Sequence, residues 1–185
     1  IGGMAALIGV DIDIINKIKS NYIKKDEILD IGNDNSPGQL VISGHSSAID
    51  RIIAEHKSLE IKRAIKLPVS APFHCSLMKK AAENMEKLIY DLEVSSPKLI
   101  LVNNVDATTL TEPIKIKKSL VKQITKTVRW RESIQNMCSL GVTNFIELGA
   151  GNVLSGLVKR INKDVNSTSV QNIDNIEIFI NNLEN

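Results

Sequence analysis

Two adjacent residues, His74 and Cys75, have side chains that could do chemistry. They lie in APFHCSLMKK, residues 71–80, in a loop just before a predicted helix, where catalytic residues concentrate. An imidazole, whose ordinary pKa is about 6.5, can act as a general base at neutral pH. A thiol becomes a nucleophile when a nearby base or a helix N-terminus lowers its pKa. The alternatives are a base, a nucleophile, a metal ligand or only the start of a helix.

The nucleophilic thiol and the metal site are the weaker alternatives. Side chains of adjacent residues usually point apart, so a Cys75–His74 hydrogen bond is awkward, and a buried packing role is favoured for the cysteine. His45, His56 and His74 do not have the spacing of metal ligands. We therefore predict no metal and keep His74 as the candidate base.

Two further motifs resemble known sites without completing them. SGHSSA, residues 43–48, approaches the nucleophile elbow G-x-S-x-G, but Ala48 replaces the last glycine, and Ser46 is more simply a helix N-cap. GAGN, residues 149–152, could hold an anion at a helix N-terminus, but a lone glycine pair is a weak signal and a tight structural turn is favoured. A full G-x-G-x-x-G is absent, so a dinucleotide site is not predicted.

The elements before residue 70 follow the order β-α-β-β-α-β, which is that of a ferredoxin-like unit. Asp11 and Ser46 are the expected caps of its two helices. The expected strands are 4–9, 28–33, 39–43 and 60–67, with a turn at 35–38.

After residue 70 the pattern predicts long helices between single buried strands. The strands are the apolar runs 98–102 and 144–148, typical of a parallel sheet that is covered on both sides. Residues 163–172 read as a polar tail, and the expected helices are 75–92, 114–124, 130–140, 153–162 and 173–183. Two such strands resemble one edge of a larger α/β domain.

Composition argues against several classes of protein. The 185 residues carry 23 basic and 21 acidic side chains and only 3% aromatics, so no nucleic-acid partner is expected. No apolar run approaches the roughly 18 residues of a membrane span. Two distant cysteines fit a reducing cytoplasm.

The opening IGGMAALIG reads as a sequence joined within a protein, so we expect a fragment.

Five segments together resemble malonyl-CoA:acyl carrier protein transacylases of type II fatty acid synthesis and, more distantly, the acyltransferase domains of polyketide synthases. The resemblance covers nearly the whole chain, and the segments are NDNSPGQLVISG, APFHCSLMKKA, LVNNVDA, VKQITKTVRW and FIELGAGNVLSGLVKRI. It implies an α/β fold with a ferredoxin-like small subdomain (1–69) followed by the C-terminal part of an α/β-hydrolase-like large subdomain (70–185).

The resemblance also implies a ping-pong reaction in which a serine carries the acyl group and a histidine activates both nucleophiles. By motif match His74 is that histidine, and the backbone carbonyl of Gln123 orients its ring. Asn33, Asn35 and Gln39 match the motif that lines the active-site gorge. No cofactor is implied.

The implied partners are malonyl-CoA, acyl carrier protein and an N-terminal part of the same protein. The family's nucleophilic serine and malonate-binding arginine precede the position where this chain begins, so the chain alone is expected to be inactive. An acidic carrier could be steered by Lys62, Arg63, Lys159 and Arg160, although for each of these residues an ordinary solvated surface is the favoured interpretation.

Two other functions stay open from the sequence. One is a polyketide-type acyltransferase with a different extender unit, although Phe73 before the base favours malonyl by family resemblance. The other is a non-catalytic carrier-binding module, against which an unmatched sheet edge argues, because a free module should not expose a broad apolar patch.

Overall fold

The structure is a computed structural model that describes residues 2–183. The chain divides between Ser133 and Ile134 into two compact units. Its helices and strands make it an α/β protein, as predicted. None of the described helices is long and apolar enough to cross a membrane. The division predicted at residues 69 and 70 stays a prediction.

The first unit contains a four-stranded sheet with two helices. Its order is β2-β3-β1-β4, and every neighbouring pair is antiparallel. The elements are β1 (Gly2–Ile8), α1 (Ile12–Asn21), β2 (Leu29–Ser36), β3 (Gln39–His45), α2 (Ser46–Ala54) and β4 (Arg63–Lys66).

Local chemistry sets the ends of these elements. The Asp11 carboxylate caps α1 by accepting the Ile14 N–H at 3.0 Å, as the sequence predicts. Gly38, at φ 72°, closes the turn between β2 and β3 with a backbone that favours glycine. The prediction that Ser46 caps α2 is wrong, because His45 occupies the N-cap and Ser46 is the first helical residue.

The core of this unit lies between one face of the sheet and the two helices. Fully burying an isoleucine or leucine is worth about 1.5–3 kcal/mol, so this cluster is the main source of the unit's stability. Its buried members are Ala5, Leu7, Val10, Ile15, Ile18, Leu29, Leu40, Ile42, Ile49, Ile52 and Ile61.

The remaining elements of the first unit begin after residue 75. A single 3-10 turn (Ser76–Met78) leads into α3 (Lys79–Asp91), and then follow β5 (Leu101–Val102), β6 (Thr109–Leu110), α4 (Pro113–Gln123) and α5 (Trp130–Ser139), in which the division between the two units falls. The predicted buried strand over 98–102 is wrong in length and environment. Only its last two residues pair, antiparallel to β6, while Leu99 and Ile100 are 83% and 71% exposed.

The second unit contains a parallel strand pair with a crossover helix. Its elements are β7 (Asn144–Leu148), α6 (Val153–Ile161), β8 (Asn166–Val170) and α7 (Ile173–Leu183). Strand β8 lies in the predicted polar tail, because its sequence NSTSV has no apolar run to signal it. The predicted burial of β7 is also wrong, since Leu148 is 78% exposed.

An ion pair ties the loop before β2 to helix α2. The Glu27 carboxylate accepts hydrogen bonds from both terminal nitrogens of Arg51 and from the Ser47 hydroxyl, the last at 2.8 Å. The bonds from Arg51 outweigh burial and lower the pKa of Glu27 from 4.5 to about 2. This side chain is 11% exposed, so solvent screens the pair weakly.

This pair predicts a pH-dependent share of stability. The folded-state pKa of Glu27 lies below its unfolded value of 4.5, so the stabilisation is present above that pH and is lost as the pH falls towards 2. Glu27→Gln should therefore lower the urea midpoint at pH 7, and the difference from the original chain should shrink towards pH 3. Asp50→Asn, in an exposed pair, is the control and should change little. An E27Q difference that is constant with pH contradicts this.

Candidate active site

The backbone of His74 has an unusual conformation. Its φ is 56°, in the left-handed region that costs a non-glycine residue about 1–3 kcal/mol. Such a conformation persists only when its surroundings fix it. Two contacts hold the residues that precede His74. The Phe73 N–H donates to the Ala71 carbonyl at 3.0 Å. The Pro72 ring lies against Gly2, where a β-carbon on residue 2 would meet the ring.

The imidazole of His74 is oriented by one hydrogen bond from a distant part of the chain. Its Nδ1 lies 2.7 Å from the backbone carbonyl oxygen of Gln123. A carbonyl oxygen can only accept, so Nδ1 carries the proton and, in the neutral ring, Nε2 keeps its lone pair. The structure thus brings together His74 and Gln123, the two residues that the family resemblance associates, and it leaves Nε2 of His74 able to accept a proton.

The position of Gln123 explains why its carbonyl is available. Gln123 is the last residue of α4, and the last carbonyls of a helix have no partner inside it. Its side chain is held as well, since Oε1 accepts from Asn104 Nδ2 at 3.3 Å. The helix end therefore presents a fixed acceptor to the imidazole.

Asn103 organises the loop beside this helix end, a role that the sequence did not reveal. Its Oδ1 accepts the N–H groups of Val105 and Asp106 at 3.0 and 2.8 Å and the Ser119 hydroxyl at 3.2 Å. Its Nδ2 donates to the Thr108 carbonyl at 2.9 Å. The signal was the Asn-Asn pair after an apolar run, because asparagine side chains readily bond to backbone two or three residues on.

Strand β2 reverses its side-chain alternation beside the His74 loop. Ile31 pairs with Ile42 and packs on the core, but Asn33 pairs with Val41, so Gly32 is an extra residue. Such a bulge re-aims the next side chain, and Asn33 therefore lies on the sheet face away from the core.

Gly32 lies on that same face of the sheet, close to the loop of the candidate base. A β-carbon at this position would be 3.5 Å from the carbonyl oxygen of Phe73, the residue before His74. The strand that carries Asn33 thus passes directly beside the loop that carries the candidate base.

The other two candidate substrate-binding residues lie near Asn33. Gln39 precedes Val41 by two positions on β3, so its side chain is on the same face as that of Asn33. Asn35 is the extra residue of a second irregularity between Asp34 and Ser36. The structure therefore places Asn33 and Gln39 on one face and Asn35 at the adjoining bulge, and their roles stay predictions.

A half-buried ion pair, missed from the sequence, joins β2 to the start of α5. Arg131 donates from Nε and Nη2 to Oδ2 of Asp34 at 3.0 and 2.7 Å, and the Asp34 side chain is 3% exposed. Backbone bonds lie beside it, because Val128 donates to Gly32 at 2.8 Å and accepts from Asp34 at 2.9 Å. These contacts fix β2 against the segment that follows Gln123.

The thiol of Cys75 has the environment of a packing residue. It is fully buried, and burial, followed by the nearby Asp30 charge, raises its pKa. A raised pKa keeps sulfur in the un-nucleophilic thiol form.

The other histidines bond to the backbone. His45 Nδ1 accepts the Ile28 N–H at 2.8 Å, and His56 Nδ1 lies 2.9 Å from the Ile53 carbonyl. Within residues 2–183 no group of three potential metal-ligating side chains is found.

The GAGN segment forms a turn whose helix end is already occupied. Gly149 and Gly151 have φ of 133° and 88°, which favour glycine. The Glu147 carboxylate accepts the N–H groups of Leu154 and Ser155 at 3.1 and 2.7 Å, and these bonds lower its pKa. An internal carboxylate thus takes the amides that an anion would use.

An α/β chain that holds a histidine by Nδ1 and leaves Nε2 ready to accept a proton has the base arrangement of Ser–His acyl-transfer enzymes. Known proteins that are similar to the chain are named as acyl-transferring enzymes. The chain is 41% identical over 177 residues, 96% of its length, to the malonyl CoA-acyl carrier protein transacylase of Staphylococcus aureus (strain COL).

Solved structures agree as well. An acyl carrier protein S-malonyltransferase from Vibrio cholerae covers 96% of the chain with a TM-score of 0.91 and 39% identity. A malonyl-transacylase in complex with a type II PKS acyl-carrier protein covers 98% with a TM-score of 0.93 and 34% identity. The resemblance deduced from the motifs is confirmed, and the chain is homologous to malonyl-CoA:acyl carrier protein transacylases.

The similarity extends over nearly all of this chain but over only part of each relative. The chain spans 58% of the length of each of these three proteins. No family model matches the chain.

The Asp34–Arg131 pair yields a stability prediction. Arg131→Leu leaves the buried Asp34 carboxylate without its cation, which costs about 3–5 kcal/mol in a fully buried pair and less here, because Arg131 is 30% exposed. Replacing both residues by leucine should recover most of that loss, because no charge then stays buried. Urea unfolding at pH 7 measures both variants. Lys115→Leu, in an exposed pair, should cost under about 1 kcal/mol. A single variant as stable as the original chain, or a double variant no better than the single one, contradicts this prediction.

Proposed function

We propose that these residues form part of a malonyl-CoA:acyl carrier protein transacylase. That enzyme moves a malonyl group from coenzyme A to the phosphopantetheine thiol of the carrier. The observation that carries the proposal is the His74–Gln123 hydrogen bond of 2.7 Å, which orients an imidazole for proton transfer. The similarity to malonyltransferases over 96% of the chain supplies the substrate class.

We propose that residues 1–69 are the ferredoxin-like small subdomain and residues 70–185 the C-terminal part of an α/β-hydrolase-like large subdomain. The support for the first is the element order β-α-β-β-α-β with its antiparallel sheet β2-β3-β1-β4. The support for the second is the similarity to malonyltransferase structures over nearly the whole chain. A cytoplasmic location is proposed with the function.

In the proposed mechanism, His74 Nε2 takes the proton of a serine hydroxyl as the hydroxyl oxygen attacks the malonyl thioester. The imidazolium then protonates the departing coenzyme A thiolate, leaving a malonyl ester. In the second half, Nε2 takes the proton of the phosphopantetheine thiol, and the sulfur attacks that ester. The proton finally returns to the serine oxygen. Throughout, the Gln123 carbonyl holds the Nδ1 proton and so keeps the ring in one tautomer.

The serine of this mechanism is proposed to lie outside the 185 residues. Within the described part of the chain, no serine hydroxyl is hydrogen-bonded to the His74 ring. Ser46 starts helix α2, in the first turn after His45. The base and the sheet face that carries Asn33 and Gln39 are the contribution proposed for this chain.

The substrate is proposed to lie beside His74, along the sheet face that carries Asn33 and Gln39, with Asn35 at the adjoining bulge. Amide side chains such as those of Asn33, Asn35 and Gln39 can both donate and accept hydrogen bonds, as the amide groups of a pantetheine arm require. Lys62, Arg63, Lys159 and Arg160 remain candidates for steering an acidic carrier protein.

Replacing the base is the direct test of the mechanism. In the enzyme that contains these residues, His74→Ala should lower kcat for malonyl transfer by roughly 10²- to 10⁴-fold, the usual contribution of a positioned base. His56→Ala is a matched control, because its ring also bonds to a backbone carbonyl but within its own segment. Near-normal turnover of the His74 variant would remove it from the base role.

A second test asks whether the chain itself can be acylated. The 185-residue chain is mixed with malonyl-CoA and its intact mass is measured. We expect no malonyl adduct, because the proposed nucleophile lies elsewhere. Ser46→Ala is the informative control, since an adduct lost in that variant would place the nucleophile in SGHSSA. Any stable adduct on a serine of this chain contradicts the proposed division of roles.

A further inference from the structure

We propose that Asp30 is a positioning residue for His74, acting through Ser76. The inference rests on the proposed function for its catalytic consequence, but its structural part stands on contacts within the first unit. Asp30 lies on strand β2, and the residue it holds comes two positions after the candidate base.

Ser76 donates two hydrogen bonds to Asp30, one from its backbone and one from its side chain. One carboxylate oxygen of Asp30, Oδ2, accepts the Ser76 backbone N–H at 2.9 Å and the Ser76 hydroxyl at 2.7 Å. The other oxygen, Oδ1, is 3.3 Å from the Lys19 ammonium group. The carboxylate is thus held from one side while it holds the 74–76 segment from the other.

Asp30 supplies a helix cap that the local sequence does not. Ser76 begins the 3-10 turn that leads into α3, and the first N–H groups of such an element lack partners within it. The residue at the cap position, Cys75, makes no side-chain capping bond. A carboxylate from another strand takes that place, and its negative charge suits the N-terminal end of a helix.

This cap also explains how His74 keeps its strained backbone. The chain passes from the left-handed φ of 56° at His74 through extended backbone at Cys75 into a helical turn at Ser76. Without an anchor at Ser76, residue 74 could relax to an ordinary φ and carry its ring away from Gln123. Asp30 fixes the backbone after the ring, and Gln123 fixes the ring itself.

The protonation state of Asp30 agrees with this role. Burial opposes its ionisation, but the backbone and hydroxyl bonds from Ser76, the hydrogen bond from the Cys75 side chain and the charge of Lys19 together hold its pKa below the ordinary value. Asp30 therefore keeps the charge and both acceptor oxygens that the cap needs at neutral pH.

The test measures the tautomer of His74 in the 185-residue chain. Histidine labelled with ¹⁵N reports by two-bond ¹H–¹⁵N correlation which ring nitrogen carries the proton. At a pH where the ring is neutral, the original chain should show His74 with Nδ1 protonated. In Asp30→Ala the Nε2-protonated form should appear, and Ser76→Ala should give an intermediate mixture because the N–H bond to Asp30 remains. Glu27→Gln, a charged-pair variant three residues before Asp30 in the loop that precedes β2, should leave the tautomer unchanged.

The outcomes separate the positioning role from a purely structural one. A folded Asp30→Ala chain with an unchanged tautomer overturns the proposal. If Asp30→Ala does not fold, the tautomer is measured in Asp30→Asn and Ser76→Ala instead. A tautomer that is unchanged in both of these variants also overturns the proposal.

Kinetics of the enzyme that contains these residues test the catalytic consequence separately. Asp30→Ala should lower kcat at least about tenfold while changing KM little, since a misplaced base weakens the chemical step rather than binding. If Asp30→Ala shifts the tautomer but the unaltered enzyme transfers no malonyl group, the proposed function is rejected and the positioning role of Asp30 is kept. A tautomer shift with unchanged kcat would reject the catalytic consequence.

Discussion

The hydrogen bond from His74 Nδ1 to the Gln123 carbonyl is the interaction on which the candidate site depends. It joins residues 49 positions apart in sequence, and it decides which ring nitrogen can accept a proton. The rest of the first unit makes this contact possible: α4 ends at the residue whose carbonyl is needed, and the loop at 103–108 braces that end through Asn103 and Asn104. Because a lone imidazole in a loop would sample both tautomers and many orientations, the ordered carbonyl is what makes it a usable base.

Strand β2 is the second constraint, because one strand contacts both sides of that hydrogen bond. Asp30 holds the segment after His74, and Asp34 holds Arg131 a few residues after Gln123. Between them Gly32 forms a bulge that brings Asn33 to the face beside the Phe73 carbonyl. A regular strand could not do this, since its strict alternation would place Ile31 and Asn33 on one face, and one of them would be in the wrong environment.

The sequence predicted local features well and long-range ones poorly, for physical reasons. The Asp11 cap, the Pro-Gly turn and the amphipathic helices follow from interactions within a few residues, which a pattern can display. The pairing of His74 with Gln123 came from family resemblance, because no local rule joins residues so far apart. The pair Asp34–Arg131 and the cap from Asp30 to Ser76 were missed for the same reason. The apolar run at 98–102 did mark a strand, but burial depends on neighbours, and the described residues leave Leu99 and Ile100 exposed.

His56 shows why hydrogen-bond geometry alone does not identify the base. Its Nδ1 also meets a backbone carbonyl, that of Ile53, and so its Nε2 is left in the same state as that of His74. The two differ in what surrounds them. His56 bonds within its own turn of chain, whereas His74 adopts a left-handed backbone that distant residues maintain, beside a strand that a bulge has turned to present an amide. Strain that several remote contacts maintain is costly, and a fold retains it where position matters. The hydrogen bond to a distant residue, together with the strained backbone, separates His74 from His56.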